Sequence, residues 1–331
     1  MLTAYVLFFA LVLLFLALDL GVFHRNAHVI EMGEAVRWTI VWIAVALAFN
    51  GLVYFAYERH WFGLGLNVPQ LDGAIAPEVS GLEAAKLFLT GYLVEKSLSL
   101  DNVFVISLIF SSLAVPAAYQ HRVLFWGILG ALVMRGAMIA VGAQLIHQYA
   151  WVPVVFGAIL LVTAVKMAFM GSGTADPTSH PVLRLIRRVV PVTPGYEGPR
   201  FLSRLDGRRA VTPLFLALVL VEITDLVFAI DSIPAIFAIT ADPFLVLTSN
   251  VFAILGLRAL YFCLAGSMHR FRYLKPALIA ILAFVGIKML LVQTSFKVDP
   301  TLSLLVITGI LAAAIAASLL MPRRGGGAVA A

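Results

Sequence analysis

The 331-residue chain reads as an all-α polytopic membrane protein with nine transmembrane helices, built on an inverted repeat of three helices plus flanking helices. Three observations predict this. Hydrophobic residues make up 62% of the chain and charged residues 12%, against about 25% charge in a soluble domain. Apolar runs of about 18 residues or more recur along its length, and each can cross a bilayer. A carboxylate-bearing segment occurs twice, and the two copies and the matches that follow them are separated by a nearly constant offset.

The same composition excludes several classes. The net charge of +6 lies in arginines flanking apolar runs, as positive-inside topology requires. No finger spacing or phosphate-binding loop is present, so nucleic acid is not an expected partner and ATP is not an expected energy source. The single Cys263 rules out a disulfide framework or a cysteine cluster. The first apolar run lacks preceding basic residues and a small-x-small cleavage site, and contains Asp19, so it reads as a retained helix.

In chain order, helix one covers 3–21, where Asp19 suits either an interfacial cap or an ion path. A short polar loop, 22–36, leads to helix two at 37–57; its Asn50 suits a bond to a neighbouring helix. Segment 58–82 is an acidic loop, with Pro69 and Pro77 against any long helix. Helix three runs from about 84 to 112, longer than one crossing needs, and its serines suit an irregular or broken helix. Helix four, 123–146, carries Arg135; helix five, 151–170, carries Lys166. Residues 171–211 form a basic loop with seven arginines and no expected domain of its own.

Helix six, 212–239, holds Glu222, Asp225 and Asp231, and Pro234 predicts a distortion in it. Helix seven, 244–264, carries Arg258, helix eight, 276–293, carries Lys288, and helix nine covers 301–320. With the basic 171–211 loop in the cytoplasm, nine crossings leave the N-terminus and the acidic 58–82 loop outside and the C-terminus inside.

The repeat pairs 84–170 with 212–293 inside a single transmembrane domain. Asp101-Asn102-Val103-Phe104 matches Asp225-Leu226-Val227-Phe228, Arg135 matches Arg258, and Lys166 matches Lys288, at offsets of 124, 123 and 122. Three helices per copy make the copies enter from opposite sides, the arrangement used for alternating access. Glu95 and Glu222 lie 127 apart, so the copies differ at the site itself. Asp231 matches Ser107, and the expected site is asymmetric, with most ligands from helix six.

Carboxylates in hydrocarbon need a cation, a proton or a shared polar cavity. Glu222 and Asp225 share a helix face, whereas Asp231 lies roughly 120° round, so one ion can meet all three only if the helix unwinds. Glu95, Asp101, Glu222, Asp225 and Asp231, with Asn102, Thr224, Ser232 and Asn250, offer an all-oxygen shell suited to Mn²⁺, Mg²⁺ or Ca²⁺. Lys96, Lys166, Lys288, Arg135 and Arg258 are the candidate charge partners. They fit a fixed ionic core, and they also fit bases that neutralise the acids until a metal enters. Arg135 and Arg258 read as structural partners, and His24, His28 and His121 as loop residues.

With these residues in view, the chain resembles the TerC family of integral membrane proteins from helix one to helix nine. The resemblance is densest in Phe88-Leu89-Thr90-Gly91-Tyr92-Leu93-Val94-Glu95-Lys96-Ser97 and on to Asp101-Asn102-Val103-Phe104-Val105. It is equally dense from Glu222 through Asp225 to Asp231-Ser232-Ile233-Pro234, and in Asp242-Pro243-Phe244, Thr248-Ser249-Asn250 and the run ending at Arg258. The resemblance carries the family's acidic positions onto Glu95, Asp101, Glu222, Asp225 and Asp231, with Asp19 matching the first helix. It implies a relation to the LysE-type cation transporters, a bacterial cytoplasmic (inner) membrane location, and export of manganese.

The expected function is therefore a secondary transporter, not an enzyme, exporting a divalent cation through an intramembrane carboxylate site. Protons are the candidate counter-ion, and no cofactor is expected to be tightly bound. The alternative is a membrane accessory protein for metal homeostasis, for metalation of exported proteins or for tellurium resistance. Direct tellurite transport is physically unattractive, because an oxyanion is repelled by these carboxylates. An intramembrane hydrolase lacks both a metalloprotease motif and a nucleophile pair.

Overall fold

The computed structural model describes residues 1–18, 31–169, 181–205, 207–264, 273–294 and 298–320. Eleven helices carry it: α1 (Leu2–Leu18), α2 (Met32–Glu58), α3 (Gly81–Ser112), α4 (Ala117–Gln148), α5 (Val152–Phe169), α6 (Pro181–Val189), α7 (Pro213–Phe237), α8 (Pro243–Leu255), α9 (Leu257–Leu264), α10 (Leu274–Leu290) and α11 (Pro300–Leu320). By length and composition α2, α4, α5, α7 and α11 each suffice to cross a membrane. The helices α8 and α9, bent by 40° at Gly256, make a sixth such span. The apolar α1 has 17 residues. The 32-residue α3 carries Glu83, Lys86, Glu95, Lys96 and Asp101 among its apolar residues. Asp19, His24 and His28 lie outside the described residues.

Local chemistry sets the helix starts. Ser80 caps α3 by accepting from the Glu83 amide at 3.3 Å, a capping pattern that leaves Glu83 in the positive first turn. Proline opens α7, α8 and α11, where its missing N–H costs nothing. Gly65 turns with φ +79, and a Cβ there would lie 2.9 Å from the Val79 carbonyl, so glycine lets the chain leave α2 tightly.

The helices α3, α4 and α5 pack against α8, α7 and α10 respectively, and α3 also packs against α7. Exchanging α3 with α7, α4 with α8 and α5 with α10 maps this set of contacts onto itself. Loop contacts define two ends of the bundle. At one end the Met1 ammonium donates to Phe62, Tyr57 donates to Asp242, Glu58 accepts from the Gly81 amide, and Lys86 meets Thr301. At the other, Tyr196 donates to the Leu113 carbonyl, Tyr261 to Gln120, and the Tyr273 amide to Ser318.

Four expectations are corrected. Segment 58–82 is not an open loop: β1 (Leu66–Pro69) pairs antiparallel with β2 (Ile75–Glu78). Segment 171–211 is not simply a loop: its described residues include α6 and a second hairpin of β3 (Leu202–Leu205) with β4 (Arg208–Val211). Helix three is not broken; Ser97 and Thr90 hydroxyls bond back to the carbonyls of Leu93 and Lys86 within an unbroken α3. Helix six is likewise continuous, because Pro234 falls in the last turn of α7, where little helix remains to disturb. The irregularity lies instead at Gly256, where a Cβ would meet the Lys96 ammonium at 2.7 Å and Trp42 at 3.2 Å.

A buried ionic cluster as candidate functional site

Arg135 organises the site. It projects from α4, is 1% exposed, and donates to side chains on two other helices. Its Nε and Nη2 bond Asp225 Oδ2 and Oδ1 on α7 at 3.1 and 2.7 Å, a bidentate fork. Its Nη1 pairs with Glu95 on α3 and donates to Ser232 Oγ at 3.3 Å. Asn102, two turns along α3 from Glu95, donates from Nδ2 to Asp225 Oδ1 at 3.4 Å. Helices α3 and α7 thus face each other across a guanidinium. Gly127 and Ala131 on α4, with Thr224 and Asp225 on α7 and Asn102 and Ile106 on α3, line a small cavity beside it.

Acceptor oxygens are left over in this cluster. Glu95 Oε2, Asn102 Oδ1 and Glu222 Oε2 are buried and have no hydrogen-bond partner. A buried polar atom without a partner costs about 1–3 kcal/mol, more when charged. Two of the three lie two turns apart on α3 and the third on the facing α7.

The other predicted residues are distributed differently. Glu222 lies on α7 one turn before Asp225, with its carboxyl against Gly130 of α4, where any Cβ would collide with it. Asp231 accepts from Thr163 Oγ1 on α5 at 2.7 Å, and the Lys166 ammonium acts on it electrostatically. The continuous α7 therefore turns Glu222 and Asp225 toward α4 and Asp231 toward α5. The Lys275 ammonium acts electrostatically on Asp101. Lys96 donates to the Ala253 carbonyl at 3.2 Å. Lys288 is buried on α10 near Asp299, and Arg258 is buried at the start of α9. Among the described residues, no three His, Cys, Asp or Glu side chains converge as a metal-holding group.

Two participants escaped the sequence reading. Thr163 was missed although it precedes Lys166 by three residues, a spacing that puts both on one helix face. Nothing in the sequence singles out Gly130; its role needs the α4–α7 crossing to be known.

A bundle of long apolar helices with ion-paired side chains at its centre defines an integral membrane protein. The chain belongs to the TerC family: the model of the integral membrane protein TerC family matches residues 80–325. It is 46% identical over 316 residues to an uncharacterised membrane protein of Myxococcus xanthus, covering 96% of this chain and 92% of that protein. It is 45% identical over 305 residues to Alx of Escherichia coli K12, provisionally named a membrane-bound redox modulator, covering 92% and 90%. A membrane protein of Rickettsia felis is 40% identical over 286 residues, 86% of this chain and 87% of the relative. No solved structure matches.

Proposed function

We propose that this protein is a secondary transporter that moves a divalent cation, manganese above others, outward through the Glu95–Arg135–Asp225 cluster. One observation carries the reading: two carboxylates from opposite repeats share a buried guanidinium, while oxygens of Glu95, Asn102 and Glu222 beside it stay unpaired. Charged groups inside a membrane bundle mark ion paths, and an all-oxygen set suits a hard cation.

In this reading Arg135 supplies the countercharge of the two acids. An arriving cation exchanges with the guanidinium, taking Asp225 and Glu95 with Asn102 and Thr224 as neutral ligands. Glu222, one turn away, receives the cation first, and Asp231 with Thr163 and Lys166 forms a station nearer the end of α7. Protons returning on the same carboxylates would complete an exchange cycle. The nine crossings, the inverted repeat, an external N-terminus and a cytoplasmic C-terminus belong to the same proposal, in a bacterial cytoplasmic membrane. The repeat-symmetric packing and the alternating loop contacts support them.

The name of the Alx relatives supports a second reading, an accessory protein that alters redox state indirectly through metal balance. A thiol relay within the chain is unattractive, since Cys263 is its single cysteine. The deciding experiment loads sealed proteoliposomes with Mn²⁺ and follows both metal and internal pH at clamped voltage. Wild-type flux with proton counterflow, lost in Asp225→Asn, is the expected result. Absence of flux in well-inserted wild-type protein sinks the transporter reading, and flux without proton movement removes the exchange.

A further inference from the structure

The amphipathic α6 is not accounted for by ion movement. Its sequence, Pro181-Val182-Leu183-Leu185-Ile186 with Arg184, Arg187 and Arg188, sorts by angle. At ~100° per residue, Leu183, Ile186 and Val190 form one sector, Leu185 and Val189 the next, and the three arginines the remainder. The first sector packs inward: Leu183 is fully buried in the cluster that includes Val103, Ile106, Val123 and Leu214, with Ile186 and Val190 against it. The second is left outside, with Leu185 60% and Val189 73% exposed. The apolar arc is thus about twice as wide as the surface that the protein offers it.

The surroundings are basic. Arg200, Arg204, Arg208 and Arg209 lie on or beside the β3–β4 hairpin, which is tied to the same end of the bundle by Tyr196 and by Arg122 over the Phe201 ring at 5.3 Å. The helix therefore sits at one end of the membrane-crossing bundle, with uncovered leucine and valine on one side and arginines on the other. That division is the pattern of a helix lying in the lipid–water interface.

We propose that α6 is an interfacial helix that docks on anionic phospholipid headgroups of the bilayer this protein itself spans. Leu185 and Val189 enter the acyl boundary, and Arg184, Arg187 and Arg188 meet lipid phosphates. Charge complementarity selects lipid over an apolar protein groove, because the same helix presents both the apolar edge and the cations. The proposal rests on membrane integration alone and is independent of any transported ion.

The test places an environment-sensitive dye at Leu185→Cys in a Cys263→Ser background, in nanodiscs of phosphatidylcholine with or without phosphatidylglycerol. A dye at Val162→Cys, on the exposed face of α5, is the lipid-facing control. Residue 185 is expected to be quenched by acyl-chain quenchers in anionic discs. Each arginine replaced by glutamine should weaken the preference for anionic discs roughly fivefold, and added salt should weaken it further. Inorganic phosphate should not substitute for the lipid. Three outcomes overturn the proposal: a water-exposed label in both disc types while the control is quenched, quenching indifferent to lipid charge and arginine content, or protection that rises only with protein-to-lipid ratio, which marks a second copy.

Discussion

Asp225 and Asp242 are both buried aspartates, yet they are held by different means. Asp242 caps α8: Oδ1 accepts from the Phe244 and Leu245 amides at 2.9 and 3.4 Å, and Oδ2 from the Tyr57 hydroxyl at 2.7 Å. Those donors are backbone at a helix start and a phenol fixed in the core. Asp225 is held by Arg135 and Asn102, two side chains that can turn away. Burial alone does not tell the two apart; the donors do, a rigid helix start for Asp242 and long side chains for Asp225. On the proposed reading, only the second kind gives way to an incoming ion.

The sharpest way to break this contrast is to remove Arg135. Arg135→Gln leaves Glu95 and Asp225 facing each other without a countercharge, and should destabilise the bundle by about 3–5 kcal/mol. Adding Glu95→Gln should recover part of the loss, read as thermal unfolding in detergent. If the double variant is no more stable than the single one, the cluster does not hold charge as argued. Asp242→Ala comes next, at about 1–2 kcal/mol for the lost cap, with metal flux per folded molecule unchanged. Flux that collapses in Asp242→Ala as in Asp225→Asn would erase the distinction.

Gly130→Ala tests the space around Glu222. The added methyl displaces that carboxyl rather than a core side chain, so apparent metal affinity should fall several-fold while stability changes by roughly 1 kcal/mol. Normal affinity would remove Glu222 from the path. The smallest effect belongs to Asp299, an exposed cap of α11 whose carboxyl is held below the ordinary value by hydrogen bonds to the Thr301 side chain and amide. A depressed value means that the ionised cap stabilises above the unfolded pKa and is lost as pH falls through the folded one. Asp299→Asn should therefore speed amide exchange in the first turn of α11 at neutral pH, and the difference should fade only as the pH falls below the ordinary carboxylate range.

Much of this was legible because charge is rare in such a chain. Every predicted crossing has helix at its place, and Glu95, Asp225, Asn102 and Arg135 stood out against an apolar background. Facing could not be read, because lipid-exposed Val162 and core Leu160 are equally apolar and give no stripe. Breaks were misplaced for a related reason. Ser97, Ser112 and Pro234 look like disruptions in sequence, but the two hydroxyls bond to their own helix and the proline lies near a helix end. Gly256 looks ordinary, and its role appears only when Lys96 and Trp42 are packed against it. The short hairpins were hidden by proline and glycine, which punctuate loops and β-turns alike.

At the crossing of α5 and α10, Gly157 and Gly286 face each other: a Cβ on either would lie 3.0–3.1 Å from the other's carbonyl oxygen. At this point α5 and α10 consequently touch main chain to main chain, with Leu160, Leu161 and Leu290 packed beside the contact. So close an approach resists separation through dispersion. A single methyl at either glycine would be a shim that changes the angle between these two helices, and cross-linking distances on either side of the crossing would register it.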